Sequence, residues 1–117
     1  MKTVVVRREG MDTPLAGSVG VADGFWLRAR GLLGRSRLEE GEGLLLTGCP
    51  AIHTVGMRFP IDVAFLDEDG VIMAIYHRLR PNRRTAWHKR AAWALELPEG
   101  TLDHTATATG HRLIWEG

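Results

Sequence analysis

The stretch Ile61–His77, IDVAFLDEDGVIMAIYH, sets the architecture expected of this chain. Two runs of strand-forming residues, Ile61–Leu66 and Val71–His77, flank Asp67, Glu68, Asp69 and Gly70, a turn tetrad, so the whole reads as an antiparallel hairpin. Side chains alternate along a strand. Ile61, Val63 and Phe65 therefore face one way and Asp62, Ala64 and Leu66 the other. In the second run Val71, Met73 and Ile75 oppose Ile72, Ala74 and Tyr76. Both faces are at least half apolar, the pattern of strands covered on both sides, which puts the hairpin at the centre of a fold and Asp62 partly inside it. A carboxyl drawn inward needs donors: an arginine, a histidine or backbone amides.

Working outward, Thr3–Arg7 carries three consecutive valines and reads as a first strand, with a second over Gly17–Ala22. The pattern then turns helical. Asp23 is a suitable N-cap, Phe25, Trp26, Ala29, Leu32 and Leu33 recur at three-and-four spacing, and Gly34 supplies a left-handed stop, which predicts one helix over Gly24–Leu33. Gly43–Thr47, Ile52–Val55, Ala92–Leu97 and Arg112–Trp115 read as further strands, with a single helical turn over Thr101–Thr105. The expected fold class is α+β and mainly antiparallel: a small barrel-like or strongly curved sheet of about six or seven strands, with one main helix across its open side.

A length of 117 residues suits one core and is short for two, so residues 1–117 are expected to form a single domain. The formal net charge of +1 gives no global attraction to nucleic acid or anionic lipid. A lone cysteine, Cys49, asks for no oxidising compartment, MKTVVVRREG is not a secretory leader, and no apolar run approaches membrane length. A cytoplasmic protein without a membrane segment is the expectation.

Charge is distributed unevenly. The acids Glu39, Glu40, Glu42, Asp62, Asp67, Glu68 and Asp69 precede Gly70, whereas Gly70–Leu95 has no acid and holds Arg78, Arg80, Arg83, Arg84, Lys89 and Arg90 together with His77 and His88. Such a run is either a solvated loop that aids solubility or a patch for an anion or an acidic partner. Trp87, set within it, could stack on a base or sugar or simply cover the core edge. The basic residues cluster without a nucleic-acid-binding motif, which speaks against nucleic acid as the partner.

Three constellations could carry chemistry. Cys49 and His53, with Asp62 near in sequence, suggest a nucleophile and its base, but Pro50 prevents a helix through Cys49, and on an extended chain the pair stand about 13 Å apart. Cys49, His53 and Met57 form a soft set suited to Cu(I), yet they match no recognised metal spacing, and no cofactor is called for. The third, His53, Thr54, Arg58 and Asp62, brings polar groups to apolar strands around Pro60. It reads either as a satisfied buried network or as the lining of a pocket for a small polar ligand. The residues favour a non-catalytic ligand-binding or accessory domain with that pocket. The alternatives are a hydrolase or metal-dependent enzyme using Cys49 and His53, and an interaction module presenting the basic loop 78–90.

The segments LRARGLLGRSRLEEGEGLLL (Leu27–Leu46), IHTVGMRFPIDVAFLDEDGVI (Ile52–Ile72) and LELPEGT (Leu95–Thr101) fall in order and at ordinary spacing. In them the chain resembles a widespread bacterial and archaeal family, domain of unknown function number 192. The resemblance implies a curved antiparallel sheet with a helix against it and no established activity. Some relatives carry a secretion signal, and none is expected here. The family pattern also places a glycine and an aspartate before the last strand, where this chain has Gly110 and His111.

Overall fold

The computed structural model describes residues 2–24, 32 and 34–117. The expected strands form close to their predicted limits: β1 (Lys2–Arg8), β2 (Ala16–Ala22), β3 (Glu42–Thr47), β4 (Ile61–Leu66), β5 (Ile72–Leu79), β6 (Trp93–Pro98) and β7 (Leu113–Glu116). The helical turn before β7 is α1 (Thr101–His104). Ile52–Val55 contributes a single bridge, His53 opposite Arg84, instead of a strand. The helix expected over Gly24–Leu33 falls almost entirely outside the described residues. At its end Gly34 takes φ 85°, the left-handed conformation of a stop.

These strands make one sheet in the order β5-β4-β6-β3-β2-β1-β7. All neighbours are antiparallel except β2 and β3, which run parallel in the register Ser18 to Glu42 through Ala22 to Leu46. A parallel pair cannot be joined by a tight turn, and the long connection from Asp23 to Gly41 supplies the crossover. Strand far outweighs helix among the described residues, so α+β is an approximate description of a mixed, curled half-barrel. No helix among them is long and apolar enough to cross a membrane.

The sheet curls until its outer strands touch. Gly70 O accepts from the Leu113 amide and His111 O from the Ile72 amide, each at 2.9 Å, and Val71 bridges Arg112. Gly70 is required there twice over: its φ is 83°, and a Cβ would stand 2.6 Å from Leu113 O. The concave side encloses one apolar cluster, to which Val6, Val19, Leu45, Leu66, Leu95 and Leu113 bring one residue from most of the strands. A second cluster, including Leu44, Leu46, Ile61, Val63 and Phe65, covers the convex side beneath Leu38, Ile52 and Met57. Burying both faces of these strands supplies the main driving force for folding, at about 25 cal/mol per Å² of apolar surface.

Strand β4 follows the expected alternation, with Ile61, Val63 and Phe65 in the convex cluster and Ala64 and Leu66 in the concave one. Every residue of β4 is buried. Strand β5 departs from expectation in two ways. It lies at the sheet edge rather than the centre. Its alternation is also rephased, because Leu66 pairs with Ile72 and Phe65 with Ala74, leaving Met73 as an extra residue. Beyond that bulge Ile75 joins Ile72 on the concave side, while Met73 and Tyr76 pack on the convex side.

Candidate functional site

Asp62 is fully buried on the concave side, and its partners are backbone amides. Oδ1 accepts from the Arg78 amide at 2.9 Å and Oδ2 from the Leu102 amide at 3.0 Å. The first contact sits at a bulge where Arg78 has φ 50°, a conformation that costs an arginine about 1 kcal/mol or more. The second satisfies an otherwise orphaned donor at the start of α1, whose own N-cap, Gly100, has no side chain to do so. One carboxyl thus ties β4 to the end of β5 and to α1.

Thr54 is also fully buried, and it holds the next part of the same segment. Its hydroxyl donates to Arg80 O and accepts from the Arg83 amide at 2.9 Å, while its amide donates to Arg83 O at 2.8 Å. The Asn82 amide donates to Thr54 O, the Thr85 amide to Ile52 O, and the His88 amide to Pro50 O. The Ile52 amide donates in turn to Thr85 Oγ1. The loop before β4 and the loop after β5 are therefore zipped side by side, with His53 directly opposite Arg84.

Beneath the second loop lies an aromatic anchor. The His88 ring packs on Phe65 with centroids 4.4 Å apart, and Tyr76 Oη lies 2.8 Å from His88 Nε2. The Ala86 amide donates to the same Tyr76 oxygen at 3.1 Å. Because Ala86 and His88 are both pinned inward, Trp87 between them is turned out and is 73% exposed.

The four residues expected to form one polar pocket thus divide into two pairs. Thr54 and Asp62 are interior and spend their polar atoms on backbone groups of residues 78–83 and of α1. His53 and Arg58 are exposed. No hydrogen bond joins any two of the four among the described residues. Cys49 is half-buried and its Sγ donates to Ala51 O at 3.1 Å. Met57 packs in the convex cluster, and no three of His, Cys, Asp and Glu among the described residues are grouped to hold a metal ion.

In the basic loop Arg80, Arg83, Arg84, Trp87, Lys89 and Arg90 are all exposed. Arg78 differs: it pairs with Asp103 at 2.8 Å, and His77 lies 3.6 Å from the same carboxylate. The hydrogen bond from Arg78, reinforced by His77, holds the Asp103 carboxyl below the usual range and raises the guanidinium in return. Among the described residues none of Arg58, Arg80, Arg83, Arg84, Lys89 or Arg90 makes an ion pair. The exposed large apolar side chains there, Val55 and Trp87, lie one on each of the zipped loops.

Sequence reasoning passed over Glu96. It sits on central strand β6, opposite Leu44 of β3 and Val63 of β4, and is 4% exposed. Its Oε1 has no hydrogen-bond partner among the described residues, and burial pushes the carboxyl up to about 7. The available signal was a lone acid between two leucines in LELP. His111, standing where the family pattern has an aspartate, still acts as an acceptor, taking the Ala108 amide on Nδ1 at 2.9 Å.

A curled mixed sheet bearing two zipped loops, with buried Thr54 and Asp62 bonded to backbone groups, places the chain among small sheet proteins. Within that class the chain belongs to the family described as "DUF192: Uncharacterized ACR", which matches residues 4–115. It is 30% identical over 104 residues to a UPF0127 protein of Thermococcus sibiricus (strain DSM 12597 / MM 739), covering 86% of this chain and 67% of that one. Two solved structures share the fold. One, a proposed transcription regulator from Sinorhizobium meliloti 1021, has a TM-score of 0.87 at 24% identity over 97% of this chain and 94% of its own. The other, a protein of unknown function from Novosphingobium aromaticivorans DSM 12444, has a TM-score of 0.82 at 20% identity, over 97% and 84% respectively. The family is one of unknown function.

Proposed function

We propose that this protein is a non-catalytic binding domain whose working surface is the pair of zipped loops, and that it takes an acidic segment of a partner protein. The observation that carries this reading is the set of cations that make no ion pair among the described residues, Arg58, Arg80, Arg83, Arg84, Lys89 and Arg90, set with exposed Val55 and Trp87 on two loops bonded to each other. Exposed arginines around an exposed tryptophan are the composition of a binding hot spot. His53 and Arg58 belong to this surface, while Thr54 and Asp62 position it. The patch is local on a chain of net charge +1, which suits a short acidic segment better than a long polyanion.

Titrating a fluorescein-labelled oligo-glutamate peptide tests this. Binding should weaken as salt rises from about 50 to 500 mM, because exposed charges are increasingly screened. Reversal of Arg83 and Arg84 to glutamate should abolish it, and Trp87→Ala should weaken it about tenfold. The bonds from Thr54 to Arg83 are main-chain on the arginine side, so the reversals leave the loop fold intact. Binding unaffected by salt or by charge reversal would overturn the proposal.

A further inference from the structure

Strand β5 is an edge strand, and β7 covers only its beginning. Beyond the contacts of Gly70, Val71 and Ile72 with residues 110–113, no backbone bond reaches its outer edge among the described residues. The direction of each backbone group follows from β4. Leu66 O accepts from the Ala92 amide on the β6 side, so by alternation Phe65 and Val63 turn their groups toward β5, where Ala74 and Tyr76 meet them. The groups left pointing outward belong to Ile75 and His77. Those two residues line a cavity of about 440 Å³ between β5 and the segment from Leu102 to Thr109. They also line a second, of about 520 Å³, on the other side of the strand, which reaches Arg80 and Arg83.

A strand edge that takes no backbone bond beyond Ile72 among the described residues, flanked by open depressions and ending at arginines that make no ion pair among those residues, is a template for an added strand of matching charge. We propose that the partner's acidic segment binds in extended form, pairing antiparallel with Met73–His77 and placing acids at its N-terminal end beside Arg80 and Arg83. This deepens the reading above and rests on it. Main-chain bonds to Ile75 and His77 supply the pairing, the two cavities take alternate side chains, and the arginines select for acid at one end.

The probe is an eight-residue peptide with three acids followed by alternating valine and threonine, together with the same peptide N-methylated at alternate backbone amides. N-methylation keeps every charge and removes the strand donors, so binding should fall about tenfold or more. Ile75→Pro should produce a similar loss, since it removes an outward donor and leaves the β4 ladder paired, with circular dichroism confirming the fold. Equal binding of both peptides, abolished by reversal of Arg83 and Arg84, would overturn strand addition and leave the acidic-partner reading standing. Failure of both peptides to bind would overturn both. A dimer in sedimentation that Ile75→Pro dissolves would assign the edge to a second copy of this chain and overturn the proposal.

Discussion

Thr54 and Arg83 are joined by a reciprocal pair of bonds, the Thr54 amide to Arg83 O at 2.8 Å and the Arg83 amide to Thr54 Oγ1 at 2.9 Å. One small buried side chain thereby sets where the basic loop stands. Thr54→Val keeps the volume and removes the hydroxyl, leaving the Arg83 amide and Arg80 O short of a partner. The expected cost is about 1–3 kcal/mol in urea unfolding. Hydrogen exchange at Arg83 should accelerate relative to the Ala64 amide of β4; equal rates at Arg83 in variant and wild type would show that the loop does not depend on Thr54.

Asp62 plays the corresponding part at the other end of the segment. Asp62→Asn retains one acceptor oxygen and turns an amide toward a donor, so it should destabilise by about 1–3 kcal/mol. Asp62→Ala strips both amides and should cost more. The check is chemical denaturation of the two variants, with loss of α1 reported by exchange at Leu102. A ranking with alanine milder than asparagine would contradict the two-amide assignment.

Glu96 predicts a pH dependence with a definite sign. In the fold its carboxyl holds a proton up to about pH 7, whereas an unfolded chain releases it near 4.5. The native state binds more protons between those values. Its contribution is therefore fully present below about pH 4.5 and is lost as pH rises to about 7, by about 3 kcal/mol in total. Relative to wild type, Glu96→Gln should gain stability from about pH 5 to 7 and level off above that, measured as the difference between two melting series. A flat difference would place the carboxyl in water.

Closure of the curled sheet depends on Gly70. Gly70→Ala combines a left-handed φ with a contact of 2.6 Å to Leu113 O, and a loss of about 2–3 kcal/mol is expected. Exchange at Leu113, whose amide donates to Gly70 O, should rise more than exchange in β4. Unchanged melting would mean that the two outer strands part without cost.

How much of this was legible in the chain differs by element. Runs such as Val4–Val6 and Ile61–Leu66 announce strands because period-two burial is written residue by residue, and the Asp67–Gly70 turn announces its hairpin. The inward face of Asp62 followed from the same alternation. The edge position of β5, its rephasing at Met73 and the parallel pairing of β2 with β3 did not follow, since each depends on which strand arrives from far along the chain.

The sequence by itself determined β1 to β7, though not the single bridge that stands in place of a strand at Ile52–Val55, together with the inward face of Asp62 and the basic character of residues 78–90, because local periodicity and composition act over a few residues. Only the tertiary structure decided that Thr54 and Asp62 are spent on the backbone of that basic segment, that His53 lies opposite Arg84, and that Glu96 is sealed between β3 and β4. The physical reason is that a buried polar group takes whichever donor or acceptor the fold brings to it. That partner is chosen by long-range strand pairing, not by neighbours in sequence.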